Sequence, residues 1–233
     1  MGGRGVFSAS QKAWVSGGNI ATTTDITSKY AGMTLKQAED TLRNIDDHEE
    51  AVIFDKHMNV ILALSGDNGS VGLPVALQKR DDITITHNHP ANDTNYGATL
   101  SPADVSWFAS SRAKEMRAVA SGQGEFVYSL QVRGKQATTK TKYEKTQLNL
   151  WAHAVIKDAT PKKDGGTGKL QSDYQREYNA FIKQGKSVKV AKHAAWQKAT
   201  GTLERSLTDF VSSFGKNSNT IYVSRNKEYN VNR

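Results

Sequence analysis

A chain of 233 residues with 31 Lys and Arg, 23 Asp and Glu and no Cys can bury one sizeable core, with or without an extension, and it excludes a disulfide framework and any thiolate metal site. No apolar run reaches the roughly 20 residues that span a bilayer, and the start Met1-Gly-Gly-Arg-Gly-Val-Phe-Ser lacks the apolar core of a signal peptide, so the expected setting is the cytoplasm, with no membrane partner. Charge is uneven: residues 1–133 carry 12 Lys and Arg against 15 Asp and Glu, whereas residues 134–233 carry 19 against 8, which points to a basic appended part with an anionic partner such as nucleic acid, or more plainly to a lysine-rich solvated surface.

Residues 1–33 open with a Gly-, Ser- and Thr-rich stretch of little periodicity and read as a loose segment, the first two dozen as loose or as a short edge element. Thr34-Leu-Lys-Gln37 is a capping box ahead of Leu35, Ala38, Leu42 and Ile45, which predicts a one-faced helix. Glu49 and Glu50 then open a strand, Ala51 to Phe54, with a turn at Asp55 to Asn59 and a second strand from Val60 to Leu64. After a Gly-rich turn, Ser65 to Gly72, comes Ile83-Thr-Ile-Thr-His87-Asn-His89-Pro90. Ile83, Ile85, His87 and His89 alternate, so an extended chain projects both imidazoles from one face. Ser101-Pro102-Ala103-Asp104 supplies an N-cap, a proline at the first helical position and a carboxylate in the first turn, and predicts a helix from Pro102 to about Met116.

Arg117 to Ser121 and Glu125 to Val132 read as strands around a Gly turn. Lys140 to Ala159 reads as a helix, and Thr160 to Gly168 as a break. Further helices follow at Leu170 to Lys183, Val188 to Ala199 and Thr202 to Phe214, then a short strand from Thr220. His153 and His193 have no acidic or His partner at ligand spacing and read as structural.

Two histidines at a strand end and an aspartate at a facing helix start supply three ligands and leave a fourth position open. That is the pattern of a catalytic rather than a structural zinc site. A capping box alone, or a His-x-His pair alone, would have an ordinary structural explanation. Their combination in one strand-to-helix unit points to a metal.

At these residues the chain resembles the JAMM (JAB1/MPN) metalloprotease superfamily, especially its RadC-like and bacteriophage branches. The matching text is His87, His89 and Pro90 for His-x-His-Pro, and Ser101 and Asp104 for Ser-x-x-Asp. The resemblance covers roughly residues 34–133 and implies an α/β fold: a JAMM/MPN-like mixed sheet flanked by helices, here followed by a largely helical basic extension over residues 134–233. It implies Zn2+ held by His87, His89 and Asp104, with Ser101 donating to an oxyanion. It also implies an upstream Glu as general base. Spacing to Asp55 favours Glu49; Glu50 stays open, because adjacent strand residues face opposite sides. The chain departs from the family in the loop before Ser101, where Pro90 to Leu100 is longer than usual, a change that costs little loop entropy.

The activity so implied is hydrolysis of a peptide or isopeptide bond, on a protein or peptide that includes ubiquitin-like conjugates among its candidates, in a bacterial or phage-infected cytoplasm. The alternative expectation is a catalytically silent binding or phage-morphogenesis protein of the same fold, contacting nucleic acid through residues 134–233.

Overall fold

The computed structural model describes residues 23–67, 70–90, 100–120, 126–133, 140–159, 168–212 and 221–227. Seven strands form one sheet: β1 (Thr24–Asp25), β2 (Glu50–Phe54), β3 (Val60–Ser65), β4 (Thr84–His89), β5 (Glu115–Ala120), β6 (Phe126–Val132) and β7 (Ile221–Lys227). Their spatial order is β1-β3-β2-β4-β5-β6-β7. The β4–β5 pair is parallel and every other pair is antiparallel. A parallel pair needs a crossover, and the segment containing the helix Pro102–Ser110 provides it.

The helices are α1 (Thr27–Tyr30), α2 (Leu35–Arg43), α3 (Pro102–Ser110), α4 (Lys142–Ala159), α5 (Lys169–Lys183) and α6 (Val188–Ser212). The molecule is thus an α/β protein with a mixed sheet and a helical C-terminal part. No helix of the described residues is long and apolar enough to cross a membrane.

Local chemistry sets most boundaries. Thr34 accepts from the Gln37 N–H while the Gln37 side chain accepts from the Thr34 N–H, closing the capping box that starts α2. Asp55 Oδ1 accepts from the N–H groups of His57 and Asn59, an Asx-type turn that reverses the chain between β2 and β3. Every residue of β2 is buried, because the sheet carries a core on each face. Ile53, Ile85, Met116, Ala118 and Leu130 pack with Val105 and Phe108 of α3 and, beyond them, with Leu148, Trp151 and Trp196 of the later helices. Val52, Phe54, Ala63, Val119 and Val127 pack on the other face with Tyr30, Ala38 and Leu42.

Three elements differ from the sequence reading. The helix after Ser101 stops at Ser110, where the Ser111 hydroxyl donates to the Phe108 carbonyl and the Ser111 N–H to the Trp107 carbonyl. Met116 therefore lies in β5, alongside Ile85 of β4. From Val188 to Ser212 one helix runs through Gly201 where two were expected; the Gly penalty of about 1 kcal/mol is smaller than what burying Ala195, Trp196, Ala199 and Leu207 along it returns. Residues 27–30, in the segment read as loose, form α1 with Tyr30 fully buried, while β1 is a short strand at the sheet edge. The last strand pairs with β6 along its whole length, so the basic end of the chain closes the same sheet.

Candidate metal centre

The C-terminal end of β4 and the N-terminus of α3 meet at the edge of a parallel strand pair, the place where open α/β sheets form ligand sites. His87 and His89 occupy one face of β4 and are both buried, at 4% and 2% exposure. Ser101 caps α3, with its hydroxyl oxygen 3.1 Å from the Asp104 N–H it accepts from, and its own N–H donates to Asp104 Oδ2 at 2.7 Å. That reciprocal box fixes the Asp104 carboxylate so that it faces the imidazoles. His87 Nε2 lies 3.0 Å from His89 Nε2 and 3.1 Å from Asp104 Oδ1, and His89 Nε2 lies 3.3 Å from Asp104 Oδ2. The rings meet edge to face, 72° apart.

These separations test whether a metal fits. A tetrahedral ion with bonds of about 2.0–2.1 Å spaces its ligand atoms about 3.3 Å apart, close to these separations, with His87 and His89 each nearest a different oxygen of Asp104. Two ring nitrogens 3.0 Å apart can share at most one proton, whereas a cation satisfies both lone pairs at once. The donor set, two imidazoles and a carboxylate, suits zinc and does not exclude other divalent ions. Among the described residues, His87, His89 and Asp104 form the one group of three or more His, Cys, Asp or Glu able to hold a metal. Burial alone would raise the Asp104 pKa, but the two imidazoles hold its carboxyl well below the usual carboxylate range.

The two candidate bases part company. The ladder pairs Ala51 with His87, and extending that register by two residues sets Glu49 opposite His89 on the same face. Glu49 is buried. Burial pushes its pKa up to about 8; His89 and the Val71 N–H donated to it pull down, while Asp104 and Asp67 push up. A loop holds it there: the Glu49 N–H donates to the Asp67 carbonyl and the Gly66 N–H to the Glu49 carbonyl. The turn is tight at Gly66, where a Cβ would stand 2.0 Å from the Ser70 carbonyl oxygen.

Glu50 faces the opposite side and is committed. Its oxygens accept from Lys29 Nζ at 2.7 and 2.8 Å and from the Tyr30 hydroxyl, and one lies 2.9 Å from His48 Nε2. Despite burial, those three partners hold its carboxyl below the usual range.

No family model, curated protein or solved structure matches this chain. The site therefore stands on its own geometry.

One residue of the site escapes sequence reasoning. Asn88, between the histidines and fully buried, accepts the Glu50 N–H at 2.7 Å and donates to the carbonyls of Ile45 and His48 at 3.1 and 2.9 Å. It ties β4 to the chain entering β2, and so fixes the height of Glu49 against His89. Spacing carries no signal for this, since the letter between two alternating ligands is unconstrained by the pattern. Elsewhere, His153 is exposed on α4. The long loop over residues 91–97 falls outside the described residues, as do the Gly-rich break at 160–167 and the His193 side chain.

Proposed function

We propose that the protein is a zinc-dependent peptidase or isopeptidase of the JAMM type. The observation that carries this reading is the triangle of His87, His89 and Asp104, with ligand atoms all within 4.8 Å of one another, beside a buried Glu49 on the same face of the sheet. The resemblance of His-x-His-Pro and Ser-x-x-Asp to the JAMM superfamily supports the same assignment.

In this mechanism His87, His89 and Asp104 would hold the ion. A bound zinc ion supplies Lewis acidity, bringing the pKa of a water toward neutrality and polarising a carbonyl. Glu49 takes the proton of the attacking water on its carboxylate and returns it to the departing amine. With the ion held there, Glu49 would carry its charge, which fits it for the first of these steps. The Ser101 hydroxyl, whose oxygen already accepts from the Asp104 N–H, keeps its proton to donate to the developing oxyanion. Asn88 and the Gly66–Val71 turn keep the base in register with the ligands.

The test is hydrolysis. Zinc-loaded protein is assayed against a panel of fluorogenic peptides and isopeptide-linked ubiquitin-like conjugates, together with Glu49→Gln. Cleavage by the wild type, lost in Glu49→Gln while that variant still holds zinc, supports the assignment. A zinc-loaded wild type inert to every substrate would favour a binding role for the same fold.

A further inference from the structure

On the side of the sheet opposite the Glu49 carboxylate, the two residues that flank Glu49 in sequence bond each other. His48 Nε2 lies 2.9 Å from Glu50 Oε1, and His48 Nδ1 lies 2.6 Å from Asp47 Oδ1. A neutral imidazole carries one N–H, so it satisfies one of these carboxylates and turns a lone pair toward the other. An imidazolium donates to both. The charges agree with the second form. Glu50 also accepts from Lys29 Nζ and from the Tyr30 hydroxyl, so a protonated His48 sets two cations against two carboxylates. The titratable groups that face the ring are Asp47 and Glu50, with Lys29 and Tyr30 of α1 beyond Glu50 and the neutral Asn88 on the β4 side. Burial opposes a charge on the ring, but the bonds to Glu50 and Asp47 outweigh it and hold the His48 pKa above the usual histidine value.

His48 is tied to the metal face through its backbone. Its carbonyl accepts from Asn88 Nδ2 at 2.9 Å, and Asn88 Oδ1 accepts the Glu50 N–H at 2.7 Å. The chain on each side of Glu49 therefore hangs from the side chain that lies between the two histidines, and the bond from the His48 ring to Glu50 closes the bracket. Without its proton the ring sets one lone pair against another, and either the exposed Asp47 or Glu50, shared with Lys29, must turn away. We propose that His48, as an imidazolium bridging Asp47 and Glu50, is a positioning residue that clasps the strand entry carrying Glu49, and that loss of its proton loosens Glu49 against His89. The effect on hydrolysis rests on the reading of Glu49 as the base; the clasp itself does not.

The test uses the full chain, metal-free and zinc-loaded, as wild type, His48→Gln and His48→Arg, each checked by circular dichroism. In metal-free wild type, NMR should find His48 titrating above the ordinary histidine value of about 6.5. Hydrogen-exchange protection of the Glu49 and Glu50 amides should fall at least ~10-fold as pH rises through that midpoint. His48→Gln should show the lower protection at every pH. His48→Arg, whose charge is fixed, should keep the higher protection with no step. In the zinc-loaded protein, each loss of protection should appear as a few-fold loss of kcat with KM unchanged. Protection equal in wild type and His48→Gln, a His48 midpoint at or below the ordinary value, His48→Arg as loose as His48→Gln, or kcat unmoved where protection falls would overturn the proposal. Protection that behaves as expected, with no hydrolysis by any form, would uphold the clasp and overturn instead the reading of Glu49 as a base.

Discussion

The two faces of β4 are both buried, yet they are built on opposite principles. On one face His87 and His89 bring two nitrogens and the Asp104 carboxylate together, the nitrogens 3.0 Å apart and 3.1 and 3.3 Å from the carboxylate oxygens. On the other, Asn88 and its neighbours Glu50, Lys29, Tyr30 and His48 satisfy one another in a closed network. The same split runs through Glu49 and Glu50, adjacent in sequence and on opposite sides of the sheet. A closed network is what a fold does to bury polar groups cheaply. A converging set of lone pairs costs stability unless something else binds there, and that difference separates a scaffold from a site.

The largest effect that would sharpen this contrast is catalytic. Glu49→Gln should lower the hydrolysis rate by ~10²–10⁴-fold, the usual weight of a general base, with zinc retained. Glu50→Gln should leave the rate of the folded enzyme within a few-fold and cost stability instead, by about 2–3 kcal/mol for charge-assisted hydrogen bonds made less favourable. Equal activity losses in the two variants would erase the distinction.

A second contrast lies in pH. In metal-free protein Glu49 is raised from 4.5 to about 8, so the folded state binds a proton that the unfolded state has released. Its contribution is complete below about pH 4.5 and is lost as pH rises to about 8, on the order of a few kcal/mol. Glu50 is lowered, so its contribution is present above pH 4.5 and is lost as pH falls through its folded pKa. Denaturant titrations of metal-free Glu49→Gln and Glu50→Gln should therefore remove opposite limbs of the stability profile. Removal of the same limb by both would contradict the assignment of faces.

Smaller effects follow from the supports. Asn88→Ala leaves the Glu50 N–H and two carbonyls without their partner and should cost about 2–4 kcal/mol in chemical denaturation. Ser101→Ala removes the α3 cap, which should cost about 1 kcal/mol and free the Asp104 N–H, weakening zinc affinity about tenfold or more through a less firmly held ligand.

What could be read without coordinates was local or periodic. The Thr34–Gln37 box, the Asp55 turn and the alternation of Ile85, His87 and His89 each depend on spacing within a few residues, and spacing is visible in a string. The end of α3 was not, because Met116 continues a helical apolar spacing while the parallel pairing of β5 with β4 claims it for the sheet. The unbroken α6 was hidden by Gly201, whose local penalty is overridden by the residues the helix buries. Strand alternation said that Glu49 and Glu50 face opposite ways but not which faced the histidines. That depended on the register between β2 and β4, a property of two distant segments. Asn88 was invisible for the same reason: its three partners come from a connection about forty residues away.

Metal content is the most direct measurement. Elemental analysis of purified wild type and of His87→Ala/His89→Ala, after exposure to zinc and removal of excess, with circular dichroism on both, should give about one zinc per wild-type chain and none in a folded variant. A wild type that takes up no metal, or a variant that keeps it, would contradict the metal centre.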